Sequence, residues 1–164
     1  MLALAILLCG IFSRLLPHGS NFTPVIALAL FSGVYCPRKY AVVAPLLLMM
    51  ISDLFLGWHS TIPFTWGSIV LISYLGLRLR EHRQPLWIMG GGIVSAILFF
   101  VITNFGSWFA LYPLTPAGLR ECYIAAIPFF RNTFVSTMVF GAIIFGFYEV
   151  VARRVKTTRF GHVL

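Results

Sequence analysis

The run AVVAPLLLMMISDLFLGW, Ala41 to Trp58, is apolar along its length until it meets Ser52 and Asp53. A stretch of this length and composition reads as a membrane-spanning helix. Asp53 is the one carboxylate well inside such a segment. An ionised side chain there costs about 2.5 to 3.5 kcal/mol at mid-bilayer, so it should face a partner, a cavity or a solute rather than lipid. The plainer alternative is that an acid near a span end caps the next turn, beside Ser52 and Gly57, or reaches water.

The rest of the chain has the same character. It carries 60% hydrophobic and only 10% charged residues over 164 positions, with a mean hydropathy of +0.95. A soluble domain carries roughly 25% charged residues. The composition therefore predicts an all-α, polytopic membrane bundle of six short transmembrane helices, one domain over 1–164 with no room for a soluble domain.

The segments follow in order. Leu2 to Leu16 is apolar up to Arg14 and is expected to be a retained span, because no basic stretch precedes it and Leu7 and Leu8 are too bulky for a cleavage site. Ala5, Cys9 and Ser13 form a stripe of small residues on it. PHGSNFTP, Pro17 to Pro24, is a structured loop able to present His18, Ser20, Asn21 and Thr23, with Asn21 or Thr23 as cap of the next helix. Val25 to Cys36 is short for a span and either crosses or re-enters. Segments follow at 41–58, 62–77 and 86–108. The Gly90-Gly91-Gly92 run, lacking any phosphate-loop context, reads as close helix packing. A Pro- and Gly-marked loop between Phe109 and Glu121 precedes a last helix from about Ile127 to Ala152.

The net charge of +8 does not suggest nucleic acid, because the basic residues sit in short clusters between apolar runs. With six alternating spans, Arg38, Lys39, Arg78, Arg80, Arg83 and the tail residues Arg153, Arg154, Lys156 and Arg159 share one side, against Arg14, Arg120 and Arg131 on the other. The richer side should be cytoplasmic, with both termini inside.

That topology gathers the polar residues of an apolar chain at the outer end. The candidate solute-binding set is Arg14, His18, Asn21, Thr23, Asp53, His59, Asn104, Trp108, Arg131 and Asn132, with Asp53 expected to pair with Arg14 or Arg131. The tryptophans also fit an interfacial belt. No carboxylate pair suits acid–base work, no nucleophile elbow frames a serine, and His18 and His59 lack ligand spacing. Three scattered cysteines give neither a disulfide framework nor a zinc site. No enzyme, cofactor or metal is expected.

Four stretches, RLLPHGSNFTPVIALALFSG (Arg14 to Gly33), SDLFLGWH (Ser52 to His59), TNFGSW (Thr103 to Trp108) and PFFRN (Pro128 to Asn132), resemble a family of small bacterial membrane proteins defined as a domain of unknown function. More distantly, the NFTP-type loop, the Ala/Gly-rich second helix and a third helix ending in Ser-Asp are similar to the substrate-capturing S-components of energy-coupling-factor transporters. That resemblance implies uptake of a vitamin or other micronutrient across the bacterial cytoplasmic membrane. It also implies a transmembrane coupling subunit with separate ATPases, docked through small residues such as Ala5, Cys9, Ala29 and Gly33. The alternative is a non-transporting structural subunit of a larger membrane complex.

Overall fold

The computed structural model describes residues 2–12, 19 and 21–156. Among them are six helices and no strand: α1 (Leu2–Phe12), α2 (Val25–Tyr35), α3 (Val43–Leu56), α4 (Ile62–Leu79), α5 (Pro85–Leu111) and α6 (Pro116–Lys156). Proline opens three of them. Pro63, Pro85 and Pro116 lie in the first turns of α4, α5 and α6, where the missing N–H would have had no intrahelical partner. The expected loop up to Glu121 is only 112–115. Thr115 accepts a 3.1 Å hydrogen bond from the Gly118 N–H, and Pro116 follows it, so a cap and a first-turn proline start α6 a full three turns earlier than expected. Pro128 lies inside α6, which continues through it.

Among the described residues, α4, α5 and α6 are long and apolar enough to cross a membrane, while α2 and α3 are shorter apolar helices. At about 1.5 Å per residue, the 11 residues of α2 rise about 16 Å, roughly half of a hydrocarbon core. The helix is nevertheless apolar on every side, and every residue from Val25 to Val34 is buried. A helix hydrophobic all round needs neighbours all round. α2 has them, since it touches each of the other five helices.

The tightest of these contacts is with α4. A Cβ on Gly33 would lie 2.6 Å from the Cα of Gly76, and one on Gly76 would lie 2.8 Å from the Cα of Gly33. The two backbones can approach this closely only because neither residue has a side chain. Gly91 and Gly92 of the triple glycine pack similarly, against Leu79 and Met138. Three hydroxyls buried in this apolar interior are satisfied within their own helices: Ser68, Ser73 and Ser95 each donate to the carbonyl four residues back, at 2.7 to 2.8 Å, while Ser32 donates to the Ala41 carbonyl beyond the end of α2, at 2.8 Å.

The carboxyl end of α2 is closed by Arg80. Its Nη2 donates to the Gly33 carbonyl at 2.7 Å and to that of Cys36, and its Nε reaches Gly33 at 3.2 Å. A cation is favoured where the helix dipole is negative. Burial first, then the neighbouring Arg38 and Arg83 charges, lowers the Arg80 pKa. Arg80 thus has a packing role beyond the topological one read from sequence. Around it, Arg83 lies 5.1 Å from the Tyr35 ring centroid, the Tyr35 hydroxyl donates to Glu149, and Arg153 lies 4.0 Å from Glu149. The basic loops therefore collect around one end of α2.

Candidate functional site

The opposite end of the bundle holds a cavity of about 380 Å³. Its walls come from the loop before α2, the amino ends of α2 and α4, the carboxyl end of α3, the later part of α5 and α6 on either side of Pro128. Four of the candidate residues meet there: Asn21, Thr23, His59 and Asn104. They were separated by up to eighty-odd positions in sequence, and the short connections between α2, α3, α4 and α5 bring them to one level.

Local chemistry positions each of them. Asn21 takes a left-handed conformation, φ 59°, which asparagine tolerates better than most residues. In this turn the Phe22 N–H donates to the Gly19 carbonyl at 2.9 Å, and the Phe22 ring lies 5.6 Å from that of Phe140 on α6. The Asn21 carbonyl accepts from Ser136, also on α6, at 3.4 Å. The NFTP loop is thereby tied across the bundle. No side chain caps α2, so the capping role expected of Asn21 or Thr23 is not taken up, and Thr23 lines the cavity instead. His59 Nδ1 lies 2.8 Å from the Thr61 hydroxyl. Asn104 donates through Nδ2 to the Phe100 carbonyl at 2.7 Å.

Other expected residues lie elsewhere. Asp53 is buried, 3% exposed, but is not part of the cavity wall; its Oδ2 accepts a 2.8 Å hydrogen bond from the Trp66 indole. Trp108 donates to the Pro113 carbonyl at 3.0 Å and so closes the α5–α6 turn. Arg131 is exposed on α6, and Asn132 is half-buried outside the cavity wall. These four are turned away because their azimuth on the helix, not their depth, decides what they face. Arg14 and His18 lie outside the described residues.

The candidate set left out much of the wall. Thr61, Thr65, Thr103, Ser107 and Thr133 supply hydroxyls, and Phe99, Phe100, Phe129 and Phe130 supply rings. The Phe100 and Phe130 centroids are 4.7 Å apart. The Thr103–Ser107 spacing on α5 and the Phe129–Thr133 spacing on α6 are both one helical turn, a signal that could have marked a shared face. No described residue of the wall carries a formal charge apart from any held by His59, and no group of three metal-ligating side chains occurs among the described residues.

This is an apolar six-helix bundle with a polar, aromatic-walled cavity at one end and a basic cluster at the other. The chain belongs to DUF6580, a family of unknown function whose model matches residues 1–158. No curated protein and no solved structure matches it.

Proposed function

We propose that this chain is a multi-pass protein of the bacterial cytoplasmic membrane that captures a small solute in the cavity, as an S-component-like subunit for uptake of a vitamin or other micronutrient. The observation that carries the reading is the convergence of neutral polar groups and phenylalanine rings from three helices and two loops on one concave space, the usual make-up of a small-molecule site. The basic end then lies in the cytoplasm and the cavity opens outward. The sequence holds no nucleotide-binding motif, so concentrative uptake needs an external energy source, which on the S-component-like reading is a coupling membrane subunit with its ATPases. Ala29 and Gly33 are buried against the chain's own helices and cannot dock such a subunit, whereas Ala5 and Cys9 on α1 are exposed.

A structural subunit is the second reading, favoured by the exposed apolar face of α3 formed by Leu47, Ile51, Leu54 and Phe55. The experiment is purification in mild detergent, with mass spectrometry of both small molecules and proteins that accompany the wild type and a Thr133→Leu variant that fills the cavity. Solute capture predicts a bound small molecule that the variant loses while keeping its unfolding temperature. A wild type that carries no solute, but holds stoichiometric protein partners lacking ATPases, overturns it in favour of the structural subunit.

A further inference from the structure

The hydrogen-bond directions in the cavity wall restrict what it can hold, and this argument rests on the solute-capture reading above. A backbone carbonyl can only accept, so any hydroxyl bonded to one must donate its proton there. Thr103 donates to the Phe99 carbonyl at 2.7 Å, Thr133 to Phe129 at 3.0 Å, Ser107 to Thr103 at 3.0 Å and Thr65 to Thr61 at 3.2 Å. Their protons are committed to the helices that carry them, and what remains for the cavity is oxygen lone pairs. The same logic fixes the Asn104 amide. Its nitrogen gives one N–H to the Phe100 carbonyl, which orients Oδ1 as an acceptor and leaves the amide a second N–H.

Among the described residues, the side of the wall built by α4, α5 and α6 therefore offers the solute a row of acceptors. An anionic or carbonyl-edged solute would meet oxygen against oxygen along that side, and its desolvated acceptors would go unpaired there. A donor-rich solute meets the opposite situation, and a protonated amine also gains from aromatic rings such as those of Phe100 and Phe130 at the same wall. We infer that the cavity takes an organic solute that donates hydrogen bonds, specifically one with a protonated amine on a small ring or apolar body. The hydroxyls of Thr103, Ser107 and Thr133 and the Asn104 carbonyl serve as its acceptors.

The test uses three probes with one ring and different heads: benzylamine, which is protonated at neutral pH, benzyl alcohol and benzoate. Binding is read by ligand-observed NMR on the full-length protein in nanodiscs, with empty nanodiscs subtracted. The expected order is benzylamine, then benzyl alcohol, with benzoate about tenfold or more weaker than benzylamine. Thr133→Val and Thr103→Val keep the shape and remove an acceptor each; both should weaken benzylamine several-fold and leave benzyl alcohol less affected. Benzoate binding as well as benzylamine, or benzylamine binding unchanged in both valine variants, overturns the inference while leaving the cavity a solute site. If no probe binds the wild type above empty nanodiscs, the solute-capture reading fails and the inference fails with it.

Discussion

The indole Nε1 of Trp66 on α4 donates a 2.8 Å hydrogen bond to the carboxylate of Asp53 on α3, and so fastens the carboxyl end of one helix to the first turns of the next. Asp53 is buried, and hydrogen bonds to charged groups contribute more than neutral ones. Trp66→Phe should therefore lose about 1.5 to 3 kcal/mol of stability. Asp53→Asn retains a carbonyl for the indole and removes the charge, so its cost reads what the charge contributes beyond this bond. Both are read by thermal unfolding in detergent. Because Asp53 is not part of the cavity wall, probe binding should survive Asp53→Asn; its loss in a stably folded variant would return Asp53 to the site.

The crossing of α2 over α4 at Gly33 and Gly76 leaves no space for a methyl group. Gly33→Ala and Gly76→Ala should each destabilise by about 1 to 3 kcal/mol or more, because backbone rather than a flexible side chain would have to yield. Gly67 lies on α4 with nothing within 4 Å of an added Cβ, so Gly67→Ala is expected to be neutral or stabilising by up to about 1 kcal/mol. Equal unfolding temperatures for the three variants would contradict the close approach.

Arg80 serves two carbonyls at the end of α2 with one planar group. Arg80→Gln should cost about 1.5 to 3 kcal/mol by leaving those acceptors poorly served. Arg80→Lys should recover only part of that, since an ammonium keeps the charge but not the fork. Full recovery by lysine in thermal unfolding would mean that charge alone matters there.

Orientation is checked by single cysteines in a background where Cys9, Cys36 and Cys122 are replaced. Ser60 and Lys39 are exposed at opposite ends of α3, in the loops that flank it. An impermeant thiol reagent should label Ser60→Cys in intact cells, and label Lys39→Cys only after lysis. The reverse pattern would invert the protein, and labelling of both in intact cells would contradict the bundle as a membrane-crossing unit.

Much of the fold was legible because its signals are local. Pro63 and Pro85 stand at the starts of two of the helices, and the basic clusters mark turns at one end. The α6 start was misplaced because Pro113, Pro116 and Gly118 read together as a loop, although Thr115-Pro116 is itself a cap followed by a first-turn proline. Of the candidate residues, Asn21, Thr23 and His59 line one cavity because chain reversal alone places these loop positions at one end. Asp53, Trp108 and Arg131 were assigned by depth, and depth does not say which way a side chain points.

The sequence by itself determined that the chain is helical and apolar, where it turns, and which polar residues share an end, because composition, proline and charge act over a few residues. Only the tertiary structure decided that the short α2 is the central helix and that Gly33 meets Gly76. It alone turned Asp53 to Trp66 and brought the threonines to the wall of one cavity. The physical reason is that a helix apolar on all sides carries no stripe to orient it. Its rotation is set by which neighbours fit closely against it, and that fit exists only once all six helices are packed.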